Sequence, residues 1–260
     1  MGLRLKKAFG GFTGHNHIEE MLPIKELTPV EKEIDVLLGK SAFYLQTYRA
    51  IDALNVLQQA REMAETNEVN SQIRAVIYRN MGQAQFQSGK FDDAMSNFIL
   101  SYETFEDEND KAAAAGLIAD YYLQAGKCEE AHGYANKALG LAKAPELMAH
   151  PYQIMGGIAI EEGDYPKALE LMNKAAEKAE EAHCITDLAM IIMDISVIFV
   201  KMGKLETALS EMFRAERYVK ECRNWDLYLR CAIRRAKVLY KMGRDEEAKK
   251  LVCALEEHKR

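Results

Sequence analysis

The sequence predicts an all-α chain of about six antiparallel helix hairpins stacked into a solenoid. Three observations lead there. The 260 residues contain only 5 prolines and are rich in Ala, Leu, Met, Glu and Lys, which favours helix throughout. A Gly-x-x-x-x-Ala pattern recurs at Gly89–Ala94, Gly126–Ala131, Gly163–Ala168, Gly203–Ala208 and Gly243–Ala248, its glycines 37, 37, 40 and 40 residues apart. On both sides of each glycine apolar residues recur at helical spacing, as in Leu205, Ala208, Leu209, Met212 and Val219, a stripe interrupted by Glu216. A fixed period of this length marks a repeat architecture, in which one hairpin cannot bury both faces and neighbours must stack.

The elements follow in order. Residues 1–27 show no sustained period and hold two glycine clusters, so they read as a flexible tail. The run to His17 carries Arg4, Lys6 and Lys7 but lacks the apolar stretch of a secretory signal. Thr28-Pro29-Val30-Glu31 is a capping box with proline in the first helical position, which starts the repeat domain, residues 28–260. A degenerate first copy ends at Ala53, with Tyr48 where the later copies have glycine. The units are expected near 29–67, 69–106, 110–143, 145–183, 185–222 and 225–258. In each, the glycine ends one helix in a left-handed conformation. The alanine, one turn into the next helix, lets the two helices approach closely. Acidic pairs such as Glu129-Glu130 and Glu246-Glu247 follow the turn glycines, where negative charge suits a helix start. At the other end Leu251, Val252 and Leu255 have no further helix after them in this sequence, which leaves self-association through terminal helices open.

These residues resemble the tetratricopeptide repeat. The second unit supplies Tyr78, Met81-Gly82, Gly89, Phe91, Ala94 and Phe98, and the fourth Tyr152, Met155-Gly156, Gly163, Tyr165, Ala168 and Ala175. Ala119, Ser196 and Ala236 replace the glycine of the first helix elsewhere, and Gln85 stands where an aromatic is usual. The period exceeds the family's usual 34 residues. In this it is similar to the repeats of kinesin light chains, spindle polarity adaptors and bacterial quorum-peptide receptors. The resemblance implies a right-handed superhelix whose first helices line a concave groove. Counted from each small residue, the groove positions would be Arg79, Asn80, Gln83 and Gln87; Asp120 and Gln124; His150, Gln153 and Glu161. They continue with Met190, Met193, Asp194 and Lys201, then Arg230, Ile233, Arg234, Lys237 and Lys241. Asn80 and Gln83 are amides suited to an extended peptide backbone. Some family members clamp a chaperone carboxylate with five residues over three units. Only Arg230 and Arg234 match that set, so no such clamp is expected.

Charge singles out the last unit. The net charge is −6, but residues 214–260 carry 14 basic and 8 acidic side chains while the rest carries 20 and 32. Arg230, Arg234, Lys237 and Lys241 fall on one helical stripe, with Asp194 one unit earlier placed to neutralise one of them. Such a stripe attracts carboxylates or phosphate. The acidic remainder argues against nucleic acid as a partner.

Other classes find little support. The longest nearly apolar run, Leu188–Val200, is broken by Asp194 and Ser196 and falls short of the roughly 20 residues of a membrane span. No phosphate-binding loop, dinucleotide fingerprint, HExxH or GxSxG occurs. His15 and His17 have no further metal ligand at a recognised spacing. No cofactor is expected. Cys128, Cys184, Cys222, Cys231 and Cys253 read as reduced, packed thiols of a cytoplasmic protein. The expectation is a non-catalytic adaptor that binds a polypeptide segment, its acidic part toward the basic C-terminal units. The alternatives are a peptide-sensing receptor and a structural subunit of an assembly.

Overall fold

The computed structural model describes residues 27–222 and 224–257. Most of the expected tail, with His15 and His17, lies outside the described residues. Among the described residues there are twelve helices and no strand. They are α1 (Pro29–Gln46), α2 (Ala50–Thr66), α3 (Ser71–Gln87), α4 (Phe91–Thr104), α5 (Glu108–Gln124), α6 (Cys128–Leu141), α7 (Pro145–Glu162), α8 (Tyr165–Glu181), α9 (Ile185–Lys201), α10 (Leu205–Cys222), α11 (Trp225–Lys241) and α12 (Asp245–Glu257). The chain groups into two compact units, which divide between Leu147 and Met148. Among the described residues no helix is long and apolar enough to cross a membrane.

Local chemistry sets the helix ends. The Thr28 hydroxyl accepts from the Glu31 amide at 3.2 Å, and the Glu31 carboxylate accepts from the Thr28 amide at 2.8 Å, a complete capping box. Asn70, Asp107 and Asn224 cap α3, α5 and α11 through their side-chain oxygens. All five turn glycines are left-handed, with φ between 73° and 79°. At Gly89 the chain closes by Lys90 N donating to Gln85 O at 2.8 Å and Gly89 N to Phe86 O at 3.0 Å, the Schellman pattern.

Tyr48 repeats that turn without a glycine. Its φ is 55°, and Arg49 N and Tyr48 N donate to Tyr44 O and Leu45 O at 2.8 and 3.3 Å. The side chain is 77% exposed, so little packing compensates for a conformation that costs a side-chain-bearing residue about 1–2 kcal/mol. Tyr48→Gly is therefore expected to stabilise the protein by about 0.5–1 kcal/mol, after the greater unfolded-state freedom of glycine is deducted. Urea denaturation checks it, and an unchanged or lower midpoint contradicts it.

In every unit a small residue of the first helix stands twelve positions before the alanine of the second. Gly82 faces Ala94 and Phe98 so closely that a Cβ at Gly82 would lie 3.1 Å from the Ala94 carbonyl and 2.6 Å from the Phe98 ring. Ser196 on α9 donates its hydroxyl to Ala208 O at 2.9 Å, satisfying a buried donor at the same register. Ser41 and Ala53 stand at the same spacing in the degenerate first hairpin, and both are wholly buried.

In the unit up to Leu147, α1 to α6 pack in succession and α1 also meets α3. Phe98, Leu117 and Ile118 form one core cluster there, edged by Tyr102, Tyr122 and Tyr134. In the unit from Met148, α8 to α12 pack in succession and α9 also meets α11. Met172, Ile192, Met193, Ile198 and Met212 are core there. Glu216, the break in the apolar stripe of α10, pairs with Arg235 of α11 and, at 3.1 Å, with Lys220. The Phe213 ring lies 5.2 Å from the Arg235 guanidinium. The five cysteines form no disulfide. Cys184 and Cys231 are buried, whereas Cys253 is exposed, so the expectation of packed thiols fails for Cys253. Burial, and then Glu216, pushes the Cys231 thiol up to about 11.

Candidate functional site: the first-helix face of the C-terminal unit

In the unit from Met148, three first helices place their polar side chains in contact. The register of about 40 residues brings one position of each helix beside its neighbour. Gln153 of α7 donates to Asp194 Oδ2 of α9 at 2.6 Å, and Arg234 of α11 donates to Asp194 Oδ1 at 2.6 Å. One carboxylate thus joins three successive first helices. The Arg234 and Asp194 side chains are 31% and 25% exposed, so this charge-assisted pair is only partly screened by water. Asp194 neutralises Arg234, the cation nearest it.

The rest of the stripe remains available. Arg230, Lys237 and Lys241 are exposed on α11, and among the described residues no carboxylate forms an ion pair with them. Arg230 donates to the Met190 sulfur at 3.9 Å. Three cations on about three turns of one helix, beside a fourth that is already paired, make this face of α11 strongly positive. Ile233 and Tyr240 interleave with them at 42% and 45% exposure. Tyr240 stands outside the groove positions counted from the repeat, although its spacing of seven from Ile233 places both on one edge of the helix.

The other expected groove residues do not all serve. Met193 is wholly buried in the core, which corrects its assignment as a groove contact, because its side chain is packed away from any ligand. Arg79 and Asn80 are 2% and 1% exposed, so they too are packing residues. Asn80 Nδ2 donates to Ser41 Oγ at 3.3 Å, and Ser41 Oγ donates to Leu38 O at 2.8 Å. Burial lowers the Arg79 guanidinium to about 10, an effect that Asp110 opposes, and the Phe105 ring centroid lies 6.0 Å away. Gln83 is half-buried on α3. Gln124 donates to Asp120 Oδ2 of its own helix at 3.0 Å, which commits both side chains locally. Asp120 and Gln124, like Arg79, Asn80 and Gln83, belong to the unit up to Leu147, and the bonded ladder described above is confined to the other unit. Among the described residues no cluster of three metal-ligating side chains occurs.

No protein-family model matches the chain, and no curated protein matches it either. Solved structures match it in fold. A Rap protein complexed with competence and sporulation factor is 17% identical, with 87% of this chain and 76% of that one covered and a TM-score of 0.64. A signal transduction ATPase with numerous domains and a tetratricopeptide repeat sensor, from Pyrococcus horikoshii, is 17% identical over 88% of this chain and 37% of that one, at a TM-score of 0.64. A Rap conjugation gene regulator of a plasmid, in complex with a Phr peptide, is 14% identical over 84% and 72%, at 0.59. At these identities the likeness establishes the fold: the chain is a tetratricopeptide-like helical repeat protein.

Proposed function

We propose that the protein is a non-catalytic recognition module that binds an acidic polypeptide segment on the first-helix face of its C-terminal unit. The observation that carries this reading is the set of three exposed, unclaimed cations, Arg230, Lys237 and Lys241, beside the partnered Arg234. Opposite charge steers association and fixes register more than it adds raw affinity, so the reading calls for a salt-sensitive partner. The acidic remainder of the chain disfavours nucleic acid in that role, and five cysteines outside any disulfide suit a reducing, cytoplasmic setting. A second reading, a peptide-sensing regulator, draws support from the fold likeness to the Rap regulator in complex with a Phr peptide.

Affinity capture with quantitative mass spectrometry tests the proposal. The full chain is compared with an Arg230→Ala/Arg234→Ala/Lys237→Ala variant of unchanged circular dichroism. A partner enriched by the native protein should fall about tenfold or more with the variant, since each lost charge contact is worth roughly 1 kcal/mol. Equal enrichment of every partner by the two proteins would mean that the stripe is a solvated face without a recognition role.

A further inference from the structure

We infer that the open edge of α11 receives an acidic amphipathic α-helix of a partner protein. This rests on the reading of α11 as a recognition helix and names what it recognises. Successive helical residues turn by about 100°. With Arg230 as origin, Arg234 lies about 40° to one side, and Ile233 and Tyr240 lie about 60° and 80° to the other. Arg234 turns toward α9, where it meets Asp194. Ile233 and Tyr240 therefore turn away from α9, and the three unclaimed cations run between the two edges.

The repeat shows what such an edge accepts. Forty residues earlier on α9, the equivalents of Ile233 and Tyr240 are Met193 and Val200. Met193 is wholly buried and Val200 packs against the same core, while α11 lies alongside α9. The edge that is packed into the core on α9 is thus exposed on α11, with its apolar character kept. A helix laid there would stand to α11 as α11 stands to α9.

Charge then decides the chemistry of that helix. Arg230, Lys237 and Lys241 are seven and four residues apart. A packed partner helix shares the rise of about 1.5 Å per residue. Carboxylates seven and four residues apart on that helix would keep step with all three cations while an apolar stripe covers Ile233 and Tyr240. An extended segment rises about 3.3 Å per residue and turns alternate side chains away, so it would meet the cations with no continuous apolar edge. A second copy of this chain is a poor occupant through its own exposed pair, Val36 and Phe43, 57% and 50% exposed. Lys32 and Lys40 flank that pair on α1, with Glu33 the exposed carboxylate three residues before Val36, so this face offers the α11 cations no net complementary charge.

The test uses the full chain and two labelled synthetic peptides of about 20 residues, a length at which an acidic leucine-heptad helix spans more than the stripe. The first carries leucines at heptad spacing flanked by glutamates. The second is identical except for two central prolines, which break the helix and keep the charge. The first peptide should bind about tenfold more tightly by fluorescence anisotropy and gain helical ellipticity on binding. An Ile233→Ser/Tyr240→Ser variant, altered only at exposed positions, should lose about tenfold for that peptide, in line with two truncated apolar anchors. Equal affinity for the two peptides, still abolished by Arg230→Ala/Arg234→Ala/Lys237→Ala, overturns the helical partner and leaves the acidic-segment reading standing. Binding of neither peptide overturns both. A dimer in sedimentation equilibrium that the Ile233/Tyr240 variant dissociates assigns the edge to a second copy and overturns the inference.

Discussion

Arg79→Ala is expected to destabilise the protein by about 3–5 kcal/mol, because it removes a buried charge that offsets another where water is largely excluded. The guanidinium is 2% exposed on α3, and its proton affinity is set by burial and by Asp110, itself only 8% exposed. Without the cation, Asp110 keeps a buried negative charge that Coulomb attraction no longer offsets. The same substitution in an Asp110→Asn background should cost clearly less, because a carboxamide carries no charge to strand. A urea-denaturation cycle over the four proteins measures both terms. A loss below about 1 kcal/mol, the level of an ordinary surface change, would return Arg79 to the groove surface where its repeat position first suggests it.

Gly82→Val is expected to cost about 3 kcal/mol, at the upper end of ordinary overpacking. The Cβ alone would sit 2.6 Å from two carbons of the Phe98 ring and 3.1 Å from the Ala94 carbonyl oxygen. The backbone oxygen cannot turn aside, so α3 and α4 must separate around a core that includes Ala94 and Phe98. Gly82→Ala should cost about 1 kcal/mol, since helix propensity returns part of the strain. Gly133 supplies the control: it is helical and nothing stands within 4 Å of its Cβ position, so Gly133→Ala should stabilise by up to about 1 kcal/mol. Thermal or urea midpoints that rank the three variants otherwise contradict the role of Gly82 as a close-contact residue.

The parts of the fold that depend on local chemistry are legible in the sequence. Turn glycines and the Thr28 capping box act within a few positions of themselves, the small residue of a first helix acts one hairpin's turn away, as Gly82 does on Ala94, and the structure has them where the period puts them. The degenerate first hairpin is harder to read, because Tyr48 takes the left-handed conformation against its preference and serine stands in for glycine at Ser41. For the site, the period suffices to bring Asp194 to Arg234, since both occupy one position of successive first helices. It fails for Arg79, Asn80 and Met193. A repeat position states which way a side chain points along its own helix, and burial depends on what the neighbouring helix brings against it. Met193 and Ile233 occupy one repeat position and differ from 0% to 42% exposed. Sequence periodicity carries no term for that difference.

The most direct measurement is the equilibrium affinity of the captured partner at rising salt, for the native protein and for the Arg230→Ala/Arg234→Ala/Lys237→Ala variant. Recognition through the α11 cations requires the native dissociation constant to rise about tenfold between roughly 50 and 500 mM salt, as exposed charges are screened over a shrinking Debye length. The variant should begin weaker and change little. Native and variant curves that coincide in both affinity and salt slope would contradict recognition by the basic stripe.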